Sequence, residues 1–321
     1  YIFLFYSLRQ KSRISSKGDH MINLQIEIFL LIVVGLILSK TGLMSSLTRK
    51  QLTKIVLTIV LPCSIIQSFE IDVDHDLIVS CIMVFLVSVM TQFIYWLFNC
   101  FLWKNQSPAR RINLQYGTMV SNAGFMGMPL AQGVFGDIGL LYASIFLIPQ
   151  RVCMWSYGLS LYTTSRKQDL IKNVLFHPCI IAIFIGVLLM IGRMFGFVLP
   201  EALDDTIGAI ASCNTALSMI AIGGILSDVN VDDVFDKTTL FYSMIRLIVL
   251  PLVLLIIVRF LNIDILVANV CVLLSGMPAA STTAMLAQTY DKDPVFSSKL
   301  VFVSTLFSLF TLPLLSMLLG G

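Results

Sequence analysis

Apolar runs of about twenty residues, the length that crosses a bilayer, alternate along this chain with short clusters of charge, glycine and proline. Cutting at those clusters predicts about ten spans, near 24–39, 52–69, 77–102, 111–135, 139–162, 174–195, 202–227, 238–261, 265–289 and 296–319, joined by short loops. Two of these spans are interrupted. The fourth contains "SNAGFMGMP" at 121–129 and the ninth contains "SGMPAASTTAM" at 275–285. Gly124, Gly127 and Pro129 in one, and Gly276 and Pro278 in the other, predict helix breaks, with half-helices restarting at Pro129 and in "AASTTAM". An unpaired backbone group in hydrocarbon costs several kcal/mol, so such a break survives only when buried in protein or lining a watered cavity.

The breaks fall at matching places in two halves. "GMP" occurs at 127–129 and again at 276–278, and the stretches 42–66 and 196–220 align without a gap as leads into the second span of each half. The basic segment 163–173 then links a first five-helix repeat, 21–162, to a second, 174–321. An odd number of spans per half gives the repeats opposite orientations, which predicts an all-α integral membrane protein of two inverted five-helix repeats. Broken spans four and nine would cross near the midplane, where two half-helix N-termini, each carrying about half a positive charge, make an anion site. The plain alternative is that glycine and proline merely kink these helices.

Composition agrees with a membrane protein: 57% hydrophobic and 12% charged residues, with a mean hydropathy of +0.91, exclude an ordinary water-soluble domain of 321 residues. A net charge of +3, spread between loops, implies no nucleic-acid partner. The seven cysteines lie singly, and His20, His75 and His177 are isolated, so no metal or cofactor is expected. No Walker loop, Ser/His/Asp set or carboxylate pair suggests an enzyme. Loops bearing Lys40, Arg49, Lys50 and Lys54, then Lys104, Arg110 and Arg111, then Arg166, Lys167 and Lys172, read as cytoplasmic. Acidic "EIDVDH" faces outward and both termini lie outside, while the acidic loop of Asp228, Asp232, Asp233 and Asp236 is the exception on the cytoplasmic side. Met21 reads as the natural start, with 1–20 a non-native or leader extension.

The stretches "NLQYGTMVSNAGFMGMPLAQGVFG" and "LLSGMPAASTTAMLAQTYDKD", with the ten-span layout, resemble the auxin efflux carrier family, whose bacterial members include malate and malonate permeases. The resemblance runs from Met21 over nearly all of the chain. It implies a fold like that of bile-acid sodium symporters: a scaffold of spans one, two, six and seven, and a transport domain in which spans four and nine cross. It implies substrate contact at Asn122, Pro129 and Pro278, and a homodimer formed through scaffold helices. The long cytoplasmic loop of many plant auxin carriers is missing here, which speaks against auxin itself.

Arg151, in "FLIPQRVCMW", falls mid-span, where insertion of Arg costs about 2.5–3.5 kcal/mol. It reads either as a fixed cation for a substrate carboxylate or as a structural cation held by carbonyls. Gln150 either donates to substrate or orients Arg151. Asn122 either binds a carboxylate or caps the first half-helix, and Ser281 and Thr282 present the same choice at the second. Asn214 lines the pathway or packs between helices; Gln67 and Gln132 are weaker versions of that case. Arg246 reads as snorkelling to the cytoplasmic face, and Glu27 as interfacial. These residues point to a secondary carrier of small carboxylates, such as malate, malonate or auxin-like acids, working by alternating access in the cell membrane. The alternatives are a sodium-coupled symporter of bile-acid-like anions, or a non-transporting ligand sensor.

Overall fold

The computed structural model describes residues 26–27, 29–70, 75–162, 176, 178–227 and 236–320. The extension 1–20, the linker with Arg166, Lys167 and Lys172, most of the "EIDVDH" loop, and Asp228, Asp232 and Asp233 lie outside the described residues.

Among the described residues every regular element is a helix. In chain order these are α1 (Phe29–Lys40), α2 (Ser46–Ser68), α3 (His75–Leu102), α4 (Pro108–Met119), α5 (Ala123–Tyr162), α6 (Pro178–Met194), α7 (Glu201–Ser212), α8 (Asn214–Leu226), α9 (Lys237–Phe260), α10 (Ile265–Ser275), α11 (Thr282–Thr289) and α12 (Pro294–Gly320). Local chemistry starts several of them. Ser45 accepts from the Thr48 N–H ahead of α2, Asp236 and Thr239 form a reciprocal capping box at α9, and Asp264 accepts from the N–H groups of Leu266 and Val267 at α10. Six helical stretches are long and apolar enough to cross a bilayer: α2, α3, α5, α7 running on into α8, α9 and α12. The shorter α1, α6 and α10 are also apolar. This is a multi-pass membrane protein.

The continuity of α5 is deceptive. A straight helix of its 40 residues would be about 60 Å long, twice the hydrocarbon thickness. At Gly136 the backbone leaves the helical region, with φ 73° and ψ −163°, a conformation open to glycine. The chain folds back there: a carbon added to Gly139 would stand 2.5 Å from the Ala131 carbonyl oxygen, and one added to Gly124 would stand 3.5 Å from the Arg151 guanidinium. Gln132, at the bend, donates to Asp137. The two arms of α5 therefore form a helical hairpin.

The helices pack in two groups. One holds α1, α2, α6, α7 and α8; the other holds α3, α4, α5 and α9 to α12. Contact between the groups runs chiefly through α5, against which α2, α6 and α8 pack. Within the first group α1 and α8 meet backbone to backbone. A carbon added at Gly35 would lie 2.0 Å from the Ile220 carbonyl oxygen, and one at Gly223 would lie 1.9 Å from that of Ile32. Close approach through small residues replaces the hydrophobic drive that is absent between helices in lipid.

Glu70, just beyond α2, pairs with Arg193 near the end of α6. Burial first, and a hydrogen bond with Asp204 next, raise its carboxyl above the ordinary value despite the opposing charge of Arg193.

Two outcomes follow from this packing. Gly223→Ala should destabilise the detergent-solubilised protein by about 1–3 kcal/mol in thermal unfolding, whereas Gly192→Ala, whose added carbon meets nothing nearer than 3.4 Å, should leave the midpoint in place. Because the folded-state value of Glu70 is raised, its contribution is fully present below the ordinary carboxyl value and is lost as pH rises through the raised one. Thermal melts across the acid range should show that loss in wild type and not in Glu70→Gln.

Candidate functional site

Helix α4 ends at Met119 and α5 begins at Ala123; α10 ends at Ser275 and α11 begins at Thr282. The two breaks touch. Ser121 and Ala279 form an isolated antiparallel bridge, in which the Asn122 N–H donates to the Pro278 carbonyl at 2.8 Å and the Ala280 N–H donates to the Val120 carbonyl at 3.2 Å. Each break thus supplies the hydrogen-bond partner that the other lacks, which removes the penalty for opening a helix in an apolar medium. Side chains complete the pairing. Gln150 donates to the Ser121 carbonyl at 2.8 Å and accepts from the Ser121 hydroxyl at 2.9 Å, while the Ser304 hydroxyl of α12 accepts from the Ala279 N–H at 3.2 Å.

The first break lies earlier than the sequence suggests. Residues 120–122 leave the helix, and the half-helix restarts at Ala123 in a wide π-helical turn, Ala123–Gly127. The expected restart at Pro129 is therefore corrected: Pro129 stands inside the half-helix, at the start of its α-helical part, where a missing N–H is tolerated. Gly124 and Gly127 serve packing in the first turn. A carbon added at Gly127 would approach Leu274 at 2.9 Å and Met277 at 3.1 Å, against the other break. At the second break Gly276 and Pro278 lie in the interruption itself, and Pro278 supplies the carbonyl of the crossing. Of the two prolines only Pro278 is at the crossing.

The remaining predicted residues separate by role. Asn122 is buried, and its side chain does not cap the half-helix. The Ser281 side chain likewise makes no cap bond. Thr282 accepts from the Tyr116 hydroxyl at 3.1 Å, tying α11 to α4. Gln150, expected at substrate or beside Arg151, has both ends of its amide engaged with Ser121. Asn214 is 1% exposed at the start of α8, which packs on the Ala123–Gly127 turn; its oxygen accepts from Ser218 and its amide nitrogen has no hydrogen-bond partner among the described residues. Gln67 rests against Gly208 of α7, away from the crossing.

Arg151 is 6% exposed, with its guanidinium facing Gly124 in the first turn of the half-helix. Its Nη1 is buried without a hydrogen-bond partner among the described residues. A cation beside a helix N-terminus adds positive charge to positive potential, an arrangement that favours an anion. Arg246 overturns its sequence reading. It is fully buried against the Tyr95 ring of α3, with the ring centroid 4.8 Å away, and does not snorkel, because α3 and α12 cover its face of α9. Among the described residues the buried charged side chains, Arg49, Arg151 and Arg246, are all cationic. Beside the crossing a groove of about 450 Å³ runs between α3 and α5, lined by Val89, Gln92, Trp96, Met119 and Pro149 among others. It is apolar except at Gln92 and offers an anion no cation.

Residues 20–316 match the family described as Membrane transport protein. The chain is 27% identical over 303 residues to an uncharacterized transporter of Methanothermobacter thermautotrophicus, covering 92% of this chain and 97% of that one. It is 25% identical to an uncharacterized transporter of Methanocaldococcus jannaschii, over 89% of this chain and 95% of the relative. The uncharacterized transporter YfdV of Escherichia coli is 23% identical, over 89% and 94% of the respective chains.

Gln150→Leu removes both side-chain bonds at the first break and leaves the buried Ser121 carbonyl and hydroxyl without them, a loss of about 1–3 kcal/mol. Hydrogen exchange should register it as lost protection at the amides of Asn122 and Ala280, with α6 unaffected.

Proposed function

The chain belongs to the membrane transport protein family, the auxin efflux carrier family that its fourth-span motif resembles, and from that premise we propose that it is a secondary carrier of small organic anions. The observation that carries the reading is the unpartnered guanidinium nitrogen of Arg151, buried at the first turn of a half-helix where two helix breaks cross. A carboxylate there accepts from Arg151 and from the Asn122 amide, in the positive potential of the half-helix N-terminus. Ser281 and Asn214 stand at the edges of the same region, one opening α11 and the other on the helix that packs against the first half-helix.

In this reading the chain forms ten spans in two inverted five-helix repeats, 21–162 and 174–321, with spans four and nine broken. Support comes from the pairing of corresponding breaks, Ser121 with Ala279, and from the return helix that follows each: the second arm of α5 in one half and α12 in the other. Each return helix contributes a side chain, Gln150 or Ser304, that braces its own break. Alternating access is then a displacement of the α3 to α5 and α9 to α12 group against α1, α2 and α6 to α8, with the crossing carried along. The bilayer is the medium of that movement, and a second copy of the chain would dock through the scaffold helices.

The test is uptake of radiolabelled malate, malonate and indole acetate by proteoliposomes under imposed sodium, proton and voltage gradients. Wild type should show saturable uptake of at least one of these, and Arg151→Gln should reduce it by about tenfold or more while remaining folded. Equal uptake by folded Arg151→Gln would remove Arg151 from the site.

A further inference from the structure

Arg246 belongs to none of the interactions that close the crossing, yet it is fully buried, and its Nε, Nη1 and Nη2 have no hydrogen-bond partner among the described residues. The Tyr95 ring beneath it is a weak substitute for a carboxylate. Leaving a guanidinium buried and unneutralised disfavours the folded state. A sequence selected for stability alone would place an apolar side chain there.

Its neighbours tie Arg246 to the crossing. The Tyr95 hydroxyl donates to the Ser275 carbonyl, the last residue of α10 before the second break, at 3.4 Å. Tyr242, one turn earlier on α9, packs in one cluster with Ala279 of the bridge, and its hydroxyl lies where a carbon on Gly117 would approach it at 2.7 Å. Arg151 stands at the crossing against Gly124 of the first half-helix.

We propose that Arg246 is a charge-selecting residue of the crossing: a fixed cation that holds positive potential at the anion site without touching the ligand. The inference rests on the carrier reading above. It deepens that reading by stating that affinity is set by the charge of the ligand. Tyr95 positions the guanidinium, and burial keeps its field from being screened by salt. At an effective dielectric of about 20, a unit charge on the order of 10 Å from a monoanion would change its affinity by about tenfold. Coulomb energy scales with ligand charge, so a dianion responds by about a hundredfold.

The experiment compares wild type, Arg246→Met and Arg246→Lys as full chains, with lactate and malonate as probes, and reads KM for uptake together with the thermal midpoint of the ligand-free protein. Arg246→Met should weaken lactate about tenfold and malonate about a hundredfold, and should raise the thermal midpoint, because an uncompensated buried charge is gone. Arg246→Lys should keep the preference for malonate over lactate. An equal loss for both probes, no loss for either, or a lowered midpoint in Arg246→Met would each overturn the proposal. Wild type that transports neither probe nor any other anion would overturn the carrier reading and this inference together.

Discussion

Hydrocarbon offers no hydrogen bonds, and that constraint governs this molecule more than any single contact. A helix may open inside a membrane only where something else receives its N–H and carbonyl groups. Here two openings meet each other's needs: Asn122 and Pro278, and Val120 and Ala280, exchange bonds across a short antiparallel bridge, and Gln150 and Ser304 take the groups that remain. Much else in the fold serves to hold that bridge in place. The hairpin turn at Gly136 returns Gln150 and Arg151 to the level of the break, and Tyr116 joins α4 to α11 across it.

Opening the helices exposes partial charge, and the side chains nearby add to it. The buried charged residues among those described carry one sign, with Arg151 against Gly124 of the first half-helix and Arg246 over the Tyr95 ring, whose hydroxyl reaches the second break. Buried positive charge is unfavourable in an empty protein and becomes favourable when an anion arrives. In the proposed reading, stability and ligand preference are set by the same residues.

Much of the helix pattern was legible in the chain because apolar length and punctuation decide it: six of the described stretches are long and apolar enough to cross a bilayer, against the ten spans expected. The breaks were legible as to which spans they fall in, from glycine and proline. Where the first break lies was not, since Pro129 fits within the half-helix and the partners of the break are Pro278 and Ala280 in the other interruption and Gln150 on the return arm of α5. Gln150 and Ser304 carry no sequence signal for bracing: a lone amide and a lone serine in apolar runs are ordinary. Arg246 was visible but misjudged, because its distance from the span end permits snorkelling and only the packing of α3 and α12 against α9 rules it out. Arg151 was found by its depth alone, and its nearness to Gly124 was beyond what spacing could give.

The bridge also imposes an order on synthesis. Ser121 and Ala279 lie far apart in the chain, and at about 5–20 residues per second the first break leaves the ribosome roughly 8 to 30 s before the second exists. During that interval half of the crossing has no partner. Gln150 follows Ser121 within about 1.5 to 6 s at the same rates, with the hairpin bend at Gly136 between them, so both partners of that bond exist well before the second break does. The Gln150 brace thus draws on residues of the first half alone, whereas the bridge needs both halves.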